Sequence, residues 1–206
     1  PLGRITRDAL TYIQNHYLHE TVVKHPNRAE AERYWNYPYQ AIEEAVVNAV
    51  YHRSYEEREP IEIRITPEEI TVFNVPGPDR SIHLEDLRSG KAVSRRYRNR
   101  RIGEFLKELD LTEGRSTGIP KILRVMRENG SPEPQIETDD DRTTFLIRLP
   151  VHTRYNAQPE QNTDQDKPAS GLDFPAPSDL DTVQATVQAG DLAEKTILRL
   201  LGAVYN

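Results

Sequence analysis

Residues 41–55, AIEEAVVNAVYHRSY, decide how the rest of this chain is read. Ile42, Ala45, Val46, Ala49 and Val50 recur at helical spacing and make an apolar stripe, while Glu44 and Asn48, one turn apart, share another face. A carboxylate and a carboxamide at that spacing can divide a task. Glu44 can take a proton from water, and the amide oxygen of Asn48 is a hard, neutral ligand suited to Mg2+. An ordinary solvated helix face carries the same residue types. The segments downstream separate the two readings.

The 206 residues suffice for one main domain and a smaller piece. A net charge of -6 argues against a whole-chain grip on nucleic acid or anionic membrane, but leaves room for a local basic stretch. The absence of cysteine excludes a disulfide framework and thiolate metal sites, and is compatible with the cytoplasm, the expected location. No apolar run approaches membrane-spanning length and no signal peptide precedes the first helix, so no membrane partner is expected. The opening Pro1-Leu2-Gly3 reads as the start of a fragment of a longer protein.

Ile5, Leu10, Ile13, Tyr17 and Leu18 predict an amphipathic helix over 4–23, ended by Pro26. Residues 27–36, polar except for Tyr34 and Trp35, are expected to form a short strand or an extended arm. Pro38 suits a first helical turn, so the 41–55 helix should begin near residues 37–39 and stop by Ser54. Ile61, Ile63 and Ile65, then Ile70, Val72 and Phe73 after TPEE, predict a β-hairpin with one face covered. FNVPGP (73–78) breaks its second strand. There Asn74 offers an acceptor and donors, and Gly77 permits positive φ or the close approach of a ligand; a plain turn is the alternative.

A short helix is expected over 84–87, and SRRYRNRR (94–101) leads into an amphipathic helix carrying Ile102, Phe105, Leu106 and Leu109. Its charge suits a phosphate-facing lid, a DNA-backbone contact or a solvated loop. TEGRSTG (112–118) opens a further helix with Ile119, Ile122, Leu123 and Met126, and glycines with small hydroxyls at a helix N-terminus can cradle an anion. It is not a Walker loop, because no Lys-Ser/Thr pair follows. Lys121 and Arg124 either assist it electrostatically or lie exposed. Strands are expected over 134–137 and 143–149 around a solvated acidic turn, Asp139 to Asp141. Residues 153–190 hold too few large apolar side chains for a packed unit and read as a polar linker; 191–206 read as a helix.

In this order EEAVVNAVYHRSY (43–55), FNVPGP (73–78), SRRYRNRRIGEFL (94–106) and EGRSTGIPKI (113–122) resemble the GHKL, or Bergerat-fold, ATP-binding domain. More narrowly they resemble its divergent form in bacterial and archaeal transcriptional regulators named for a relation to the RecG helicase. The likeness spans about residues 36–150. It implies a two-layer α/β sandwich with a mixed, mainly antiparallel sheet covered by helices on one side. It also implies ATP and Mg2+ as cofactors. Glu44 would polarise the attacking water, Asn48 would bind Mg2+, and Asn74 with Gly77 would take the place of the adenine-contacting box, Asn74 lacking the usual aspartate charge. Gly114, Ser116, Thr117 and Gly118 would contact phosphate, and Arg95 and Arg98 would reach the γ-phosphate.

The resemblance divides the chain into an N-terminal helix and arm (1–35), an ATPase-like domain (36–152), a linker (153–190) and a C-terminal segment (191–206) that begins a winged-helix region. The function implied is an ATP-binding regulatory module, hydrolysing ATP slowly if at all, in a homodimeric regulator that reaches DNA through other domains. Two other readings stand beside it: a scaffold of this fold without nucleotide, and direct DNA contact through Arg95 to Arg101. No paired motor domains or Walker elements support a helicase motor.

Overall fold

The computed structural model describes residues 2–27, 30–92, 98–108, 118–155, 183–186 and 196–200, the last two runs as backbone. Helix α1 (Leu2–Tyr17) buries Ile5, Ala9, Leu10 and Ile13. It stops six residues before the expected end. The amide of Asn36 decides this: its Nδ2 donates to Tyr17 O at 2.7 Å and its Oδ1 accepts from His19 N at 2.9 Å, closing the helix. The β-branched Thr21, Val22 and Val23 then favour strand β1 (Glu20–Val23), antiparallel to β2 (Glu32–Trp35).

Helix α2 (Tyr39–His52) buries the expected stripe of Ile42, Ala45, Val46, Ala49 and Val50, and with it Ala41, Glu44 and Val47. Strands β3 (Ile61–Ile65) and β4 (Glu69–Asn74) form the hairpin, with Ile63 opposite Val72 and Ile65 opposite Ile70. Next come α3 (Leu84–Arg88), α4 (Arg100–Glu108), α5 (Gly118–Asn129), β5 (Gln135–Glu137) and β6 (Phe145–Pro150), then β7 (Val183–Thr186) and β8 (Thr196–Leu200). The larger sheet has the order β5-β6-β4-β3-β8-β7. Each of its described pairings is antiparallel, so the parallel component of the expected mixed sheet does not occur among the described residues. Short connections explain this for β3–β4 and β5–β6, which a parallel crossover cannot span.

Ile61, Ile63, Ile65, Ile70, Val72 and Ile147 alternate along the strands on the buried face. The other face carries Glu62, Arg64 and Arg148, with Arg148 bridging Glu69 at 2.6 Å and Glu137 at 2.7 Å. This one-sided burial makes the fold a two-layer α/β sandwich.

Two readings of the tail are corrected. Thr196–Leu200, expected to be helical, pairs with β3 from Ile61↔Leu200 to Ile65↔Thr196, and Val183–Thr186, expected to be linker, pairs with β8. A short apolar run fits strand and helix periods alike, and the hydrogen-bonding edge of β3 settles the choice. Among the described residues, no helix is long and apolar enough to cross a membrane.

Candidate functional site

Helices α2 and α5 pack antiparallel, and two polar contacts set their register. Asn48 lies against Gly118 at the start of α5, and one turn back along α2, Glu44 Oε2 meets Lys121 Nζ at 3.3 Å. The Glu44 side chain is 5% exposed and that of Lys121 22%, so this ion pair is largely withdrawn from water. Gly118 admits nothing larger: a Cβ there would lie 2.8 Å from Asn48 Oδ1 and 2.9 Å from Cγ, and closer still to Nδ2. Nδ2 of Asn48 is buried and has no hydrogen-bond partner. Leaving such a donor unmet is costly, and so it marks a place to look for a ligand.

Arg95, Gly114, Ser116 and Thr117 lie outside the described residues. Asn74 is buried at the end of β4, its Nδ2 donating to Pro76 O at 3.3 Å across the cis Val75–Pro76 bond. Gly77 differs from its sequence reading. It is not among the positive-φ residues, and the close approach it allows is to the protein's own backbone. Its N donates to Arg142 O at 3.0 Å, and a Cβ would stand 2.5 Å from Thr144 O. The turn it meets is built on Asp139, which accepts from the amides and hydroxyls of Thr143 and Thr144; these bonds hold its carboxyl well below the usual range.

Arg98 Nη1 donates to His52 O at 2.7 Å, and Asn99 Nδ2 donates to Tyr51 O at 2.9 Å and Arg53 O at 2.7 Å. Both residues therefore satisfy carbonyls at the negative end of α2, one turn beyond Asn48. Burial, and then the nearby Arg98 charge, push the His52 imidazole down to about 4. The unfolded chain thus binds a proton at His52 that the folded chain refuses, so stability falls as pH drops from about 6.5 toward 4. In thermal unfolding, His52→Gln is expected to flatten this slope; an unchanged slope would remove the imidazole as its source.

Sequence reasoning passed over Asn99 and Arg53. Asn99 directly precedes a helix, a position that suggests an N-cap, yet its amide serves the end of another helix. Arg53 is 3% exposed; its guanidinium donates to the carbonyls of Ser54, Glu57 and Glu59 and lies 5.0 Å from the Tyr55 ring centre. Ser54 N in turn donates to Val75 O at 2.8 Å, tying α2 to the loop after Asn74. Arg53→Met strips charged donors from several carbonyls and is expected to cost about 2 kcal/mol, measured by denaturant unfolding.

Among the described residues, no three His, Asp or Glu side chains cluster to hold a metal. One carboxamide beside a carboxylate engaged by an ammonium suits a divalent cation only when phosphate and water complete its shell, as Mg2+ on nucleotides commonly requires. In that sense Asn48 fits such a cation.

Residues 59–147 match the family described as "Putative ATP-dependent DNA helicase recG C-terminal". The chain carries a divergent GHKL-like ATPase domain related to RecG. Asn74, Gly77, Arg98 and Gly118 of this ATPase-like domain fall within the matched stretch; Glu44 and Asn48 precede it. The crystal structure of the DIP2311 protein from Corynebacterium diphtheriae is similar in fold, with a TM-score of 0.55 at 20% identity. The likeness covers 73% of this chain and 29% of that one, so the chain spans less than a third of its neighbour's length. No curated protein matches this chain.

Proposed function

We propose that the ATPase-like domain binds ATP with Mg2+ where α2 meets the start of α5, and hydrolyses it slowly. The observation that carries this reading is the unmet Nδ2 of Asn48 against Gly118, one turn from the buried carboxylate of Glu44. Polar groups of this kind are expensive between packed helices unless a ligand uses them. The N-terminus of α5 supplies N–H groups and a dipole favourable to phosphate, and Gly114, Ser116 and Thr117 precede it in the sequence. Asn74 would face the adenine amine, with Gly77 shaping the turn beside it. When bound, Mg2+ would neutralise phosphate charge, with Asn48 Oδ1 as its protein ligand. Glu44 would accept a proton from water as the water oxygen bonds to the γ-phosphorus, the bond to the ADP oxygen breaks, and ADP and phosphate leave. Arg95 and Arg98 would lie over the triphosphate, Arg98 after releasing His52 O.

In the parent protein we assign this module to a transcriptional regulator, a homodimer in which nucleotide occupancy controls DNA binding by other domains. A second reading, a scaffold without nucleotide, draws on two observations: Lys121 already compensates Glu44, and Arg98 already caps α2. Thermal unfolding separates the two. Millimolar ATP with Mg2+ is expected to raise the Tm, and Asn48→Ala to remove the Mg2+-dependent part of the rise. No shift with either nucleotide or metal supports the scaffold.

A further inference from the structure

Glu44 and Lys121 each lie in a stretch that carries the family likeness, but the likeness gives no role to the contact between them. Lys121 lies three residues after Gly118, so the two share one face of α5, and that face meets Asn48 and Glu44 on α2. From α5, Lys121 faces Glu44. Among the described residues, the other elements packed on α2 bury apolar side chains in the core, such as Ile5 and Ala9 from α1, Ile63 from β3, Val72 from β4 and Leu149 from β6. A carboxylate so placed is costly to keep charged. A general base, however, must be charged to accept a proton.

We propose that Lys121 is a positioning residue for Glu44, holding its carboxylate ionised and fixed in the seam between α2 and α5. This rests on Glu44 acting as the base in the proposed hydrolysis. The ammonium supplies the opposite charge that desolvation demands, without having to touch phosphate itself. It also ties the base to the helix whose N-terminus would receive the triphosphate, so that a shift of α5 carries Glu44 with it.

The test uses the full chain. Lys121→Met is expected to move the acid limb of the pH profile of kcat/KM for ATP with Mg2+ upward by about one unit or more, and Lys121→Arg to restore it. The Kd for ATP is expected to change by less than about threefold. A limb that stays in place while Kd rises by about tenfold or more assigns Lys121 to phosphate and overturns the proposal. A second readout needs no nucleotide. At pH 8, Lys121→Met is expected to lower the Tm by about 5 °C in the native background and by less than half of that in Glu44→Gln. Equal losses in the two backgrounds break the link between the residues and overturn the proposal. A chain that turns over no ATP sinks the role of Glu44 as base, while the unfolding pair still decides whether Lys121 sustains its charge.

Discussion

Replacing Glu44 with glutamine is expected to abolish ATP turnover, lowering kcat by at least about 100-fold, while ATP affinity stays within a few-fold. Alanine is expected to do the same. The asymmetry follows from position. Glu44 is buried against Lys121 in the helix seam; in the proposed hydrolysis it would meet the reaction through a proton and contribute little to holding the nucleotide. Glutamine keeps the shape and can still accept a hydrogen bond from the ammonium, but it cannot hold the water's proton at neutral pH. Phosphate release measured with saturating ATP and Mg2+ checks the first half, and a binding titration checks the second. Turnover equal to the unsubstituted chain would strip Glu44 of its role, whatever the affinity.

The second large effect is structural. Gly77→Ala is expected to destabilise the domain by about 3 kcal/mol, lowering the Tm by about 6–12 °C. The added methyl would meet Thr144 O at 2.5 Å and Arg142 O at 2.8 Å, and both are backbone atoms in a turn locked by Asp139. No flexible side chain is present to give way. The loop after Asn74 would have to lift from the turn, losing the bond from Gly77 N to Arg142 O. Thermal unfolding without nucleotide is the measurement; a Tm within about 2 °C of the unsubstituted chain would show that the loop is not held by this contact.

These two residues illustrate what the sequence makes legible. The α2 stripe, the alternation along β3 and β4 and the β5–β6 pair follow from local periodicity, and the chain folds as those patterns direct. The errors lie where a distant partner decides. The end of α1 depends on Asn36, which reaches back to Tyr17 O, and β8 is a strand because β3 offers it an edge. Local pattern carries no information about either contact. The same limit applies at the site. The spacing of Glu44 and Asn48 puts them on one face, but which residues oppose them depends on how α5 lies against α2. The pairing with Lys121 and the tight fit to Gly118 could not be read from either helix alone. Arg98 carries the same lesson: nothing in its charge discloses the bond to His52 O that it makes at the end of α2.

Calorimetric titration of the full chain with ATP, in the presence and absence of Mg2+, bears most directly on the claim that the α2–α5 corner is a triphosphate site. Saturable, magnesium-dependent heat is expected from the unsubstituted chain, and none from Gly118→Val, whose side chain would push the Asn48 amide out of its place. No heat at millimolar nucleotide, or the same heat from the valine variant, would contradict it.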